Sequence, residues 1–171
     1  LSYLPPVENK QILELGAGIG RFTTHFATVA KQVVAVDFVD KFIEQNQKNN
    51  AQFSNITFYA SNVMDMHFDF EQFDFVFVNW LLMYLEDDEC QVLADRLSHW
   101  TQPEGQVFVR ESCIGPYDPN KPQPHTHYRQ PAFYRDLFEK RRFTIVDNGH
   151  VAFFEQRYGN PNQFWWLFQK K

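Results

Sequence analysis

The residues best suited to chemistry lie near the start of the chain. Gln11-Ile12-Leu13-Glu14-Leu15 is a short apolar run that leads into Gly16-Ala17-Gly18-Ile19-Gly20, so three of seven glycines fall within five residues. Glycine allows a tight turn and lets a ligand approach bare backbone closely. The spacing G-x-G-x-G differs from the dinucleotide fingerprint G-x-G-x-x-G, whose third glycine comes one residue later. Glu14 stands just ahead of the turn, where a carboxylate can take a ligand ammonium directly or through the turn. Asp37 ends the run Val33-Val34-Ala35-Val36 and lies 19 residues beyond Gly18. That is near the ~20 expected of an acid that accepts both hydroxyls of a ribose. A third turn, Ser61-Asn62-Val63-Met64-Asp65-Met66, offers Asn62 or Asp65 for the edge of an adenine and Val63 for its face.

An acid ahead of the glycines suits S-adenosylmethionine better than a pyrophosphate cofactor. The elements that must position these residues alternate. Strands are expected at 11–15, 33–36, 56–59, 73–78 and 106–109, the last after a Pro103-Glu104-Gly105 turn. Helices are expected at 21–29, 40–50 (Phe42 and Ile43 inward, Asp40 as cap) and 87–100. Such alternation predicts an α/β fold with a mostly parallel sheet and ligands at the carboxyl ends of its strands. Five of the nine prolines then crowd into 115–131, a long loop that reads as a functional lid. A helix over 131–142, burying Phe133, Leu137 and Phe138, precedes two closing strands, 143–146 and 164–168. With only a turn between them, these form an antiparallel hairpin at the sheet edge.

Composition bounds the reading. The chain of 171 residues, 44% hydrophobic and 18% aromatic, has the mass of one globular domain and too many aromatics for disorder. The longest apolar candidate, Phe73 to Leu85, is broken by Asp74 and Asn79 and is short of the ~20 residues that span a bilayer. A soluble, cytoplasmic protein is the expectation. Net charge of −5 argues against a general nucleic-acid binder, yet residues 121–142 alone carry +4. Lys140, Arg141 and Arg142 in that block read as a solvated helix face. Cys90 and Cys113 fit neither a disulfide framework nor a metal site, and His25, His67 and His99 form no ligand pattern.

Taken together, the glycine turn, Asp37 and the 61–66 turn resemble the class I S-adenosylmethionine-dependent methyltransferases. The resemblance implies a Rossmann-like, seven-stranded, mostly parallel sheet with a C-terminal antiparallel hairpin, as a single domain over 1–171. It implies a cofactor set of Glu14, Gly16, Gly18, Gly20, Asp37, Phe38, Asn62, Val63, Asn79 and Trp80, with no metal. Val78 to Leu85, Arg110-Glu111-Ser112-Cys113 and His127-Tyr128-Arg129 before Phe133-Tyr134 carry a closer similarity, to the phosphoethanolamine N-methyltransferases of nematodes and plants. This implies methyl transfer to the nitrogen of phosphoethanolamine, in phosphocholine synthesis, with a second methyltransferase domain or enzyme for the later methylations.

On that reading Arg129 offers a guanidinium fork to the phosphate, His127 and Tyr128 add donors, and Arg110 is a second cation, unless Glu111 beside it makes it structural. Tyr84 or His127 takes the proton from the amine. The position of Tyr84 is catalytically important in the related single-domain enzymes, which hold a histidine there. Trp80 and Tyr84, four apart at a helix start, share one face and flank a cation. Family members usually carry a segment ahead of the first strand that closes over the cofactor with a tyrosine. Only Leu1 to Asn9 precede it here, so the chain reads as lacking that lid, Tyr3 being too close to serve. Two rivals stand beside this reading: methylation of another small molecule, and a catalytically silent cofactor-binding scaffold.

Overall fold

The computed structural model describes residues 3–113 and 125–171. The strands are β1 (Gln11–Leu15), β2 (Gln32–Asp37), β3 (Ile56–Ala60), β4 (Phe73–Asn79), β5 (Thr101–Ser112), β6 (Phe143–His150) and β7 (Gln163–Lys170). They form one sheet in the order β3-β2-β1-β4-β5-β7-β6. β1 to β5 run parallel, and β7 is antiparallel to both β5 and β6. The chain leaves β1 toward one edge and returns to the other side at β4. The order therefore reverses between β1 and β4, the position where α/β sheets open a ligand crevice at their carboxyl ends.

Helices cover both faces, which is why the central strands read as unbroken apolar runs rather than alternating ones. On one face Leu13, Val34, Val76, Val107 and Phe168 pack with Leu93 and Leu97 of α3 (Asp87–Trp100) and Leu137 and Phe138 of α4 (Pro131–Glu139). On the other, Ile12, Val33, Phe75, Phe77 and Phe108 receive Phe26 of α1 (Arg21–Ala27). Tyr3 packs against Trp165, the ring centroids 5.0 Å apart and the rings tilted by 32°, and joins this second cluster.

Several local expectations are corrected. In α2 (Asp40–Asn49), Ile43 is buried but Phe42 is 45% exposed. The inward face continues from Ile43 through Asn46 to Asn50 and meets the glycine turn. Asp40 makes no cap hydrogen bond there, and the α2 N-cap is Val39. The Pro103-Glu104-Gly105 turn lies inside β5 as an irregularity, since pairing passes from Phe73–Thr101 to Phe75–Gln106. Finally, β6 and β7 are not joined by a turn alone: α5 (Ala152–Tyr158) lies between them and ends at Gly159 in the left-handed region. In α4, Phe133 is half-buried and Tyr134 is fully buried. Of the proline-rich segment read as a lid, residues 114–124 lie outside the described residues, and Pro131 is the first residue of α4.

Candidate active site

The turn after β1 holds its shape through positive φ at all three glycines: 76° at Gly16, 54° at Gly18 and 94° at Gly20. The N–H groups of Gly16 and Ala17 both donate to the Val36 carbonyl at 3.0 Å, folding the turn over the end of β2. A Cβ on Gly20 would stand 2.2 Å from Asn46 Oδ1, and one on Gly16 would stand 3.0 Å from the Asn79 carbonyl oxygen. Close packing as well as conformation therefore requires glycine at both ends. Asparagines of α2 brace the turn from behind. Asn46 Nδ2 donates to the Gly18 carbonyl (3.2 Å) and to Thr23 Oγ1 (3.0 Å), and Asn49 Nδ2 donates to the Ile19 carbonyl (2.8 Å). Sequence reasoning missed these residues; their i, i+3 spacing opposite a glycine turn was the available signal.

Glu14 is 1% exposed and accepts a 2.6 Å hydrogen bond from Thr23 Oγ1. Burial pushes its pKa up to about 8, Asp37 adds to the rise, and the bonds from Thr23 pull it back. Among the described residues, no ion pair involves it. A buried carboxyl of this kind fits a ligand that brings its own cation. Asp37 Oδ2 accepts from the Gly18 N–H (2.8 Å) and Oδ1 from the Val39 N–H (2.9 Å), which fixes the carboxylate plane. A carboxylate has about four acceptor directions, so capacity for a diol remains. Phe38 beside it is 74% exposed, as suits a ring surface for a nucleobase. The Ser61 N–H donates to the Asp37 carbonyl, bringing the 61–66 turn to the same edge. There Asn62 is exposed and its Oδ1 caps a 3₁₀ turn (Val63–Asp65) at the Met64 N–H, Asp65 is exposed, and Val63 belongs to the buried core. Glu14, Asp37, Phe38, Asn62 and Asp65 thus offer a carboxyl, a carboxylate, an exposed ring and polar edges along one rim of the sheet.

The second half of the site follows β4. Trp80 has φ 49° and precedes a single 3₁₀ turn, Leu82–Tyr84. The helical spacing expected to align Trp80 with Tyr84 is therefore absent. The Arg110 guanidinium lies 4.6 Å over the Trp80 ring and 5.4 Å over Phe22, while its Nε donates to Asn79 Oδ1 at 2.7 Å. Burial lowers the Arg110 pKa to about 10, Glu111 pulling it back up and Arg21 adding to the fall. Trp80 Nε1 donates to Gln163 Oε1 at 2.8 Å, and Phe154 of α5 meets its ring edge-on. Tyr84 is 57% exposed. His127 Nε2 lies 3.3 Å from Glu86 Oε1, and Tyr128 is half-buried.

Arg129 is placed differently from the expectation of a fork presented to phosphate. It is 7% exposed; Nε donates to Asp87 Oδ1 (2.7 Å), Nη1 to the Leu82 carbonyl (2.8 Å) and Nη2 to the Leu85 carbonyl (2.6 Å). The guanidinium is engaged by backbone carbonyls that need a donor once buried. Arg141 likewise does not lie on a solvated face: it bonds Asp95 at 2.6 Å and the Leu137 carbonyl at 2.7 Å, tying α4 to α3. Among the described residues no cluster of His, Cys, Asp or Glu is arranged to hold a metal ion, and no helix is long and apolar enough to cross a membrane.

Comparison with known proteins agrees with this architecture. The phosphoethanolamine N-methyltransferase 3 of Arabidopsis thaliana is 40% identical over 183 residues, 99% of this chain and 37% of that protein. Phosphoethanolamine N-methyltransferase 1 of Caenorhabditis elegans is 35% identical over 190 residues, 99% of this chain and 40% of its own. The chain thus spans about two-fifths of the length of these curated relatives. A solved structure of the Haemonchus contortus phosphoethanolamine N-methyltransferase 1, in complex with phosphoethanolamine and S-adenosylhomocysteine, superposes with a TM-score of 0.90 at 32% identity. It covers 98% of this chain and 40% of that one. The family described as "Methyltransferase domain" matches residues 12–105, more than half of the chain, and the chain belongs to that family.

Proposed function

We propose that this chain is a phosphoethanolamine N-methyltransferase domain that uses S-adenosylmethionine and feeds phosphocholine synthesis in the cytoplasm. The observation that carries the reading is the buried Glu14 beside the glycine turn and Asp37, in a chain similar over nearly its full length to enzymes of that name. Glu14 would hold the ammonium of the cofactor, Asp37 its ribose, and Phe38 with Asn62 or Asp65 its adenine. When bound, the cofactor supplies a methyl group already activated on a sulfonium, so the residues around it chiefly orient the acceptor and keep water out.

The acceptor nitrogen has to be neutral to attack. Tyr84 and His127 are the groups assigned to take its proton, His127 being oriented by Glu86. We assign the phosphate to Arg110, preset by Asn79 and Trp80, with His127 and Tyr128 as further donors. Arg129 acts from behind, on the turn that carries Tyr84. A second methyltransferase domain or enzyme completes the later methylations.

Calorimetry with S-adenosylhomocysteine followed by methyl transfer to phosphoethanolamine tests the reading. Binding together with turnover supports it. Equal turnover of ethanolamine, which lacks the phosphate, overturns the substrate assignment, and binding without turnover of any amine favours a scaffold.

A further inference from the structure

Arg110 and Glu111 are neighbours on β5, so their side chains leave the sheet on opposite faces. Arg110 goes to Trp80 and Phe22, while Glu111 goes beneath the turn that follows β4. There it is fully buried. Glu111 Oε1 accepts from the N–H groups of Leu81 (2.9 Å) and Leu82 (2.8 Å), and Oε2 accepts from the Met83 N–H (3.3 Å). The first N–H groups of any helical turn have no carbonyl within the turn to bond, and here one carboxylate from another strand takes three in succession. The other end of the turn is held as completely. The Leu82 and Leu85 carbonyls accept from Arg129, and the Met83 carbonyl accepts from the His127 N–H at 2.7 Å.

We propose that Glu111 is a positioning residue for methyl transfer: with Arg129 it clamps both ends of the Leu82–Tyr84 turn and so fixes Tyr84, and through the His127 N–H also His127, against the acceptor nitrogen. This rests on the assignment of Tyr84 and His127 given above. A 3₁₀ turn of three residues has too few internal hydrogen bonds to hold its own geometry. The clamp supplies what the turn lacks. The titratable groups around Glu111 are Arg129, Tyr134 of α4, Cys90 of α3 and Cys113 just beyond β5, with Arg110 across the sheet on its other face. Burial raises the Glu111 pKa and the three N–H bonds and Arg129 offset part of the rise, leaving it at about 7. Because those bonds favour the carboxylate, ionisation and clamping reinforce each other.

The test compares the wild-type chain with Glu111→Gln and Glu111→Asp by residue-resolved amide hydrogen exchange and by steady-state methyl transfer to phosphoethanolamine. In E111Q the amides of Leu81, Leu82 and Met83 are expected to lose about tenfold or more of their protection while those of β1 and β4 keep theirs. The affinity for S-adenosylhomocysteine stays within about twofold, and kcat falls by about ten- to a hundredfold, the scale of a misplaced reacting group. E111D keeps the carboxylate and is expected to retain part of that protection and of kcat. Unchanged exchange in E111Q, or a loss of protection spread evenly over the sheet, overturns the clamp. If the wild type does not methylate phosphoethanolamine, the substrate assignment fails while the exchange measurements still decide the clamp.

Discussion

The Thr23 hydroxyl donates a 2.6 Å hydrogen bond to the Glu14 carboxyl, joining the first turn of α1 to the end of β1 directly beneath the glycine turn. The bond only partly offsets the burial of Glu14, so this carboxyl holds its proton to about pH 8. It stands where the cofactor ammonium is assigned.

Cofactor binding is therefore expected to release a proton. A cation beside Glu14 favours the carboxylate, so affinity for S-adenosylhomocysteine rises as pH rises toward 8, by at most about tenfold per pH unit. Calorimetry in buffers of different ionisation enthalpy reads the released proton directly. Glu14→Gln abolishes the release and the pH slope. The ligand-free protein shows the opposite trend in stability: a folded-state pKa above the ordinary 4.5 gives stability that is full below that value and declines as pH climbs to about 8. Melting temperature against pH checks this, and E14Q flattens the decline.

Two glycines of one turn are expected to respond differently. An alanine at Gly18 meets no atom within 4 Å and suffers only its φ of 54°, a cost of about 1–2 kcal/mol. An alanine at Gly20 meets Asn46 and Asn50 at 2.2–2.6 Å as well, and is expected to lose about 3 kcal/mol or more together with cofactor binding. Denaturant unfolding of the two variants separates strain from collision.

Arg129→Ala is expected to act on stability before it acts on substrate. It strips a donor from the buried carbonyls of Leu82 and Leu85; Leu82 keeps the Leu85 N–H at 3.2 Å, whereas Leu85 is left with a distant thiol, at a cost of about 1–3 kcal/mol. Melting temperature and kcat should fall together. A normal melting temperature with only a raised KM for phosphoethanolamine would return Arg129 to the phosphate.

Arg110→Ala is expected to raise the KM for phosphoethanolamine about ten- to a hundredfold, the loss of one charge-assisted contact of about 1.5–3 kcal/mol. Cofactor affinity should hardly move. Arg110→Lys should not rescue it, because an ammonium cannot both bond Asn79 through Nε and stack flat on Trp80.

The parts of this protein that were legible in the sequence are those governed by local rules. Val33 to Val36 and Phe75 to Val78 read as buried strands because a sheet covered on both faces has no polar side to interrupt them. The acids Asp87, Asp88 and Glu89 marked the start of α3, where Glu86 and Glu89 complete a capping box. What depended on distant partners was not legible. Phe42 turned outward because Asn46 and Asn50 were needed under Gly20, a contact across 30 residues. Arg129 looked like a ligand for anions, since nothing in His127-Tyr128-Arg129 reveals the carbonyls of Leu82 and Leu85 that take up its donors. Glu111 read as a neighbour of Arg110, although alternation on β5 sends the two to opposite faces.

The stacking of Arg110 on Trp80 also gives the protein an optical handle. Of the four tryptophans, Trp100, Trp165 and Trp166 are buried, whereas Trp80 is half-buried at the crevice with a cation against its ring. Its emission should dominate the part of the fluorescence that a soluble quencher can reach. Any acceptor that draws Arg110 away from the indole would then change the brightness of a single residue, and occupancy of the crevice could be followed by light alone.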